Sequence, residues 1–206
     1  IIANQQLHDR QKAVILSDES LLEPVLSAIS NPETRINISM GFPADRSMIF
    51  DFVRRIIELN TNVPSQRAET FFISTGDLNQ LINHPLFPVL MGEDFGDGLN
   101  FIEEWPASMM PLNLLLSKNP EIVQLFCYQD VNVLIDNLMK MFERYGVSSI
   151  EKNALEKESF GRIHLWITAI KEGLGSFKLK IKLDSFYFLF QDFIKKERLS
   201  FEGSLG

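Results

Sequence analysis

The sequence predicts an α+β fold, mostly α-helical, in which a small βαβα layer carries a large helical insertion. Three observations predict it. Two short runs rich in β-branched residues, "KAVILSD" and "RINISM", are each followed by apolar residues at helical spacing. From about Asn60 onward, roughly 130 residues read as helices and loops. The closing "LSFEG" can return to the first layer as a strand. The expected organisation is a partial α/β domain over 1–60, a helical insertion over 61–185 and a return segment over 186–206.

The elements follow in order. "KAVILSD" (Lys12–Asp18) reads as a buried strand. In "DESLLEPVLSAIS", Asp18 or Ser20 can cap a helix and Glu23 stands a capping-box step beyond Ser20. Leu21, Leu22, Val25, Leu26 and Ile29 share its apolar face, and Pro24 fits only near its start. "NPET" is a turn, and "RINISM" is a second strand with Ile36, Ile38 and Met40 on one side. "DRSMIFDFVRRIIELN" is an amphipathic helix with Ile49, Phe52, Val53, Ile56, Ile57 and Leu59 inward and Asp45 available as cap. This β-α-β-α order implies two parallel strands joined by a crossover helix.

"TNVPSQ" is linker-like. "FFISTGDLNQLINHPLF" predicts a short extended piece, then a helix from about Thr75 that stops before Pro85, with Asp77 near its start. "PLFPVLMGEDFGDG" is loop-rich and "PLNLLLSK" a short apolar helix. "NPEIVQLFCYQDVNVLIDNLMKMFERYG" predicts one long helix, with Asn119 as cap, Pro120 at the first position and Gly146 at the end. "SSIEKNALEKESFGRIHLWITAIKEGLGS" predicts another, tolerating Gly161. A last helix is expected from about Leu183 to Arg198. The 17 phenylalanines are read mostly as core.

Composition narrows the function classes. With 45% hydrophobic and 23% charged residues, the 206-residue chain is an ordinary globular one. No stretch approaches about 18 uninterrupted apolar residues, so no membrane partner is expected. The start lacks a signal-peptide pattern, and the single cysteine, Cys127, excludes an internal disulfide, so a cytoplasmic protein is expected. The chain begins without methionine and stops at "FEGSLG", as an excised piece of a longer protein would. The net charge of −7 opposes general binding to nucleic acid. Acidic charge gathers in "GEDFGDGLNFIEE".

"RINISMGFPADRS" (Arg35–Ser47) has the strand, glycine, helix order that seats phosphate in many nucleotide-binding proteins. It lacks the second glycine and the lysine of a phosphate loop, and Pro43 removes a donor from the cradle. Gly41 and Pro43 therefore read as turn residues. "EDFGDG" has the wrong spacing for a calcium loop, since Asp94 and Asp97 are three apart. His8, His84 and His164 form no metal-ligand pair; His84, before a proline, reads as a capping or surface residue. Cys127 reads as an inert buried thiol. No catalytic, cofactor-binding or metal-binding constellation is expected. "KLKIK" (Lys178–Lys182) as a strand would show Lys178, Lys180 and Lys182 on one face, and Lys195, Lys196 and Arg198 keep the C-terminal part basic. These six are the candidate nucleic-acid contacts. A solvated edge protected by lysines is the plainer alternative.

Three stretches together resemble one family. "KAVILSDESLLEPVLSAI" resembles the strand and helix opening the second motor domain of AddB-type helicase–nuclease subunits, which carry a C-terminal PD-(D/E)XK nuclease. "INISMGFPADRSMIFDFVRRIIEL" is similar to the following strand, Gly-x-Pro turn and helix of Bacteroidetes-type members. "FYFLFQDFIKKERLSFEGSLG" resembles the approach to a family stretch of the form G-L-Q-x-M-G-x-L-E-T-R. The resemblance covers residues 13–59 and 186–206. It implies a helicase-like fragment, part of domain 2A with the helical 2B insertion, from a DNA-repair helicase–nuclease. It implies no enzyme activity or cofactor for the fragment, DNA as a partner of the parent protein, and a possible helicase partner subunit. A helical protein–protein interaction module without DNA binding is the alternative.

Overall fold

The computed structural model describes residues 14–16, 18, 21–28, 35–62, 71–91, 97–102, 104–118, 120–126, 130–145 and 154–204. Their order is α1 (Leu22–Ala28), β1 (Arg35–Pro43), α2 (Met48–Thr61), β2 (Phe72–Ser74), α3 (Thr75–Ile82), α4 (Phe87–Met91), β3 (Met109–Pro111), α5 (Leu112–Lys118), α6 (Val131–Tyr145), α7 (Ala154–Phe177), α8 (Leu183–Lys196) and β4 (Arg198–Ser204). The α+β, mostly helical class is the one observed.

The sheet topology corrects the expected parallel pair. β1 pairs antiparallel with β4, from Arg35 opposite Ser204 to Pro43 opposite Arg198. A second two-stranded antiparallel sheet joins β2 to β3. "LSFEG" thus does return as a strand. The expected first strand does not form over its described residues, Val14–Leu16 and Asp18, and Val14 and Ile15 face solvent. Between Ile38 and Phe42, β1 advances four residues while β4 retreats two, from Phe201 to Leu199. Two extra residues on β1 make a bulge. Gly41 lies in it at φ +75°, and a Cβ there would stand 2.8 Å from the Cβ of Arg198. Its glycine is thus required by strand pairing.

α2 is the centre of the core. Ile49, Phe50, Phe52, Val53, Ile56, Ile57 and Leu59 are buried along it, a wider apolar face than a surface helix needs. It packs against α8, α3 and α7. Across the α2–α7–α8 junction, Phe50 meets Phe190 and Phe193, and Trp166 stacks on Phe193 at 5.0 Å and meets Phe186 and Phe190. Among the described residues eight phenylalanines are buried; Phe50, Phe52, Phe87, Phe126, Phe142, Phe186 and Phe190 are among the largest fully buried side chains, and Phe42 is the eighth. The core cluster is contiguous from Leu22 to Leu199.

Three further expectations are corrected. The long helix from Pro120 is broken into a 3-10 segment, Pro120–Leu125, and α6. The cause is a second cap: Asp130 Oδ1 accepts the N–H of Asn132 at 2.9 Å and so starts a new helix. Carbonyls freed at the break are taken by side-chain amides, the buried Asn60 Nδ2 donating to Leu125 O and the half-buried Asn137 Nδ2 to Phe126 O. "KLKIK" is not a strand. Lys178 turns out of α7 at φ 50°, and Leu179–Lys182 has no regular structure. The stretch "PLFPVLMGEDFGDG", expected to be loop-rich, opens with the helix α4, whose Phe87, Leu90 and Met91 are buried. The other expected features are observed: Ser74 Oγ caps α3 through the N–H of Asp77, α5 is where "PLNLLLSK" placed it, and α7 runs through Gly161.

Gly41→Ala is expected to destabilise the fold by about 2–4 kcal/mol, from left-handed strain plus the clash with β4. Gly161→Ala, where a Cβ meets nothing within 4 Å, is expected to stabilise it by about 0.5–1 kcal/mol. Urea denaturation of both variants checks the contrast; a neutral G41A would remove the bulge argument.

Candidate functional site

The phosphate-loop question is answered at the N-terminus of α2. After β1, the 3-10 turn Ala44–Arg46 leads to Ser47, the residue flanking the helix. Asp45 and Arg46 are exposed on that turn, so Asp45 is not the cap. Ser47 is fully buried, and the residue three beyond it is Phe50, so no capping box can close locally. The partner comes from α7. Glu156 Oε1 accepts the N–H of Met48 at 3.2 Å; its Oε2 accepts the Ser47 hydroxyl at 3.2 Å and the N–H of Ile49 at 3.4 Å. A buried carboxylate therefore occupies the seat that a nucleotide phosphate would take, matched to the helix dipole and its unpaired N–H groups. Glu156 was not legible as a site residue, because it lies 109 residues from Ser47. The only sequence signal is a cap-type serine without a local partner.

A second network lies one turn further along α2. Asp51 binds Arg54 and, at 2.7 Å, Arg55 Nε, while Arg55 Nη1 reaches Gln80 Oε1 on α3 at 2.8 Å. His84 Nε2 lies 3.5 Å from Asp51 Oδ2, and His84 Nδ1 accepts the N–H of Leu86 at 3.1 Å. His84 is buried, not a surface residue, and its ring accepts the N–H of Leu86 in the link between α3 and α4, while Asn83 is the residue that closes α3. With Nδ1 engaged by the backbone and Nε2 turned to Asp51, no ring nitrogen is left to take a substrate proton. Burial raises the Asp51 carboxyl, but the Arg55 and Arg54 hydrogen bonds outweigh it and hold the group below its ordinary value. Burial pushes His84 below its ordinary value, and the attraction of Asp51 offsets only part of this.

The six basic candidates fall into two groups at opposite ends of α8. Its 14 residues span about 21 Å. Lys178, Lys180 and Lys182 are exposed on the α7–α8 turn. At the far end Lys196 pairs with Asp192 at 2.6 Å, and Arg198 donates to the carbonyls of Lys195 and Glu197. Lys195 lines a small cleft with Asp45, Asp51 and Arg54. The distal group is therefore interleaved with carboxylates. A shallow groove of about 440 Å³ beside α8 is lined by Asp184, Tyr187, Phe188, Gln191, Asp192 and Lys195. Tyr187 donates to Glu58 Oε1 at 2.7 Å, tying α8 to α2.

His164 lies on α7 against Phe142 and Phe160. Cys127, His8 and Asp94 lie outside the described residues. Among the described residues no three His, Cys, Asp or Glu side chains are placed to hold a metal ion, and no helix is long and apolar enough to cross a membrane. No protein-family model, no curated protein and no solved structure matches the chain.

Glu156→Ala is expected to cost about 2–3 kcal/mol, from a lost cap and the buried donors left behind. Glu156→Gln, which keeps an acceptor, is expected to cost about half that. Thermal unfolding should show the two falls in that order; equal stability of E156A and the parent chain would remove the cap. Stability is also expected to fall as pH drops below about 6.5, because unfolding lets His84 bind the proton that burial denies it. A second loss begins below about 3.8 as Asp51 protonates. His84→Asn, whose side-chain oxygen can replace Nδ1 as acceptor, should flatten the first limb in urea titrations across this range.

Proposed function

We propose that this chain is a non-catalytic, helicase-like fragment of a DNA-repair helicase–nuclease that positions DNA or braces the nuclease domain. One observation carries the non-catalytic part. The helix N-terminus after the strand–glycine turn, which nucleotide-binding proteins keep for phosphate, is filled by the chain's own Glu156. The DNA part rests on the resemblance to AddB-type chains over 13–59 and 186–206. The pairing of β1 with β4 sets parts of those two stretches side by side with helices between them, while the parallel pair expected of that layer is absent among the described residues. In this reading 1–60 and 186–206 are the α/β part and 61–185 the inserted helical part, with a helicase subunit as a further partner and the cytoplasm as compartment. A helical protein–protein interaction module is the second reading, favoured by Phe188 and Leu189 standing exposed on the outer side of α8.

The chain is expected to show no ATP turnover and no DNA cleavage above background. ATP hydrolysis abolished by Arg46→Ala would sink the non-catalytic assignment. In a salt titration, the chain is expected to bind DNA at low salt and to lose affinity steeply as salt rises. Joint Lys178→Ala, Lys180→Ala and Lys182→Ala should weaken that binding. Absence of binding at the lowest salt favours the interaction module.

A further inference from the structure

The turn between α7 and α8 holds features that the core does not use. Phe177 ends α7 with 75% of its surface exposed, and Leu179 is 53% exposed. Ile181 and Leu183 pack into the core, so the segment is anchored just beyond them. Lys178, Lys180 and Lys182 stand in solvent, and none is ion-paired among the described residues. Residues 177–182 carry three lysines and no carboxylate, in a chain of net charge −7.

The backbone of this turn is also unusual. The N–H of Leu179 donates to Leu174 O at 3.0 Å and the N–H of Lys178 to Gly175 O at 3.3 Å. This is the Schellman closure of a helix, and its left-handed position is ordinarily glycine. Here it is Lys178, at φ 50°, the one non-glycine residue with positive φ among those described. A lysine therefore stands where glycine would be less strained, beside an exposed aromatic ring, and points to binding in place of stability.

The geometry points to this turn as a contact for single-stranded nucleic acid: Phe177 stacks on an unpaired base while Lys178, Lys180 and Lys182 meet neighbouring phosphates. The inference rests on the DNA-holding role proposed above and names the form of DNA. A local positive patch on an acidic protein confines a polyanion to this one turn. A duplex keeps its base faces stacked and offers Phe177 nothing, whereas a single strand offers a ring face at every nucleotide. A lipid surface fits less well, because two exposed apolar side chains on a turn lack the long apolar face of a membrane-lying helix.

Fluorescence anisotropy with labelled oligothymidylate, a duplex of equal length and phosphatidylserine vesicles tests the inference on the 206-residue chain. The single strand is expected to bind more tightly than the duplex. Phe177→Ala should weaken it by about five- to 150-fold, Phe177→Trp should retain it, and duplex binding should not respond to either. Lys178→Gly should raise the melting temperature while lowering single-strand affinity and making its salt slope shallower by about 0.7. Equal binding of both DNAs, unmoved by F177A, overturns the inference and leaves the DNA-holding role standing. Binding to neither DNA overturns both. Vesicle binding without oligonucleotide binding overturns the inference in favour of a lipid surface, and a K178G variant of lower melting temperature overturns the trade of stability for binding.

Discussion

The N-terminus of α2 is buried, and a buried helix end must find partners for its free N–H groups inside the protein. Glu156 supplies them from the first turn of α7. The rest of the arrangement closes around that contact. α7 packs on β4, β4 pairs with β1, and β1 runs through one short turn back into α2. Hydrophobic burial supplies the larger energy: each fully buried Phe or Ile along α2 contributes about 1.5–3 kcal/mol, whereas an exposed pair such as Lys196–Asp192 contributes about 0–1 kcal/mol. Burial has no direction, however. The three hydrogen bonds to Glu156 specify which turn of α7 lies over which end of α2.

The same contact bears on function. A carboxylate in the anion seat leaves no place there for a phosphate, so the proposed DNA contact falls to the outer surface. Net charge gives little guidance about where. The two ends of α8 carry similar numbers of basic residues, yet at one end Asp45, Asp51 and Asp192 interleave with them, and at the other the turn itself holds no carboxylate and Asp184 is the acidic neighbour of Lys182. Local arrangement separates a salt-bridged surface from a positive one.

Much of the helical part was legible. α2, α3, α5, α7 and α8 announce themselves through apolar residues at helical spacing and through caps such as Ser74. The separation of the 3-10 segment Pro120–Leu125 from α6 is not legible in the sequence, because Pro120 and Gly146 frame a plausible single helix and Asp130 reads as an ordinary polar residue within it. The antiparallel sheet was missed because β1 and β4 lie more than 150 residues apart, and apolar alternation names a strand without naming its partner. The proline after His84 suggests a helix end but not its burial, which involves packing against Phe52 of α2 at 5.2 Å between ring centroids.

By itself the sequence determined the class, most helices and the reading of Gly41 as a backbone residue, since these depend on periodicity, caps and a glycine that neighbours in the chain already imply. Tertiary structure alone decided why that glycine is required, since the clash is with Arg198 of β4. It alone decided that Glu156 fills the anion seat of α2. Contacts of this kind join residues more than 100 positions apart, and no local pattern encodes them.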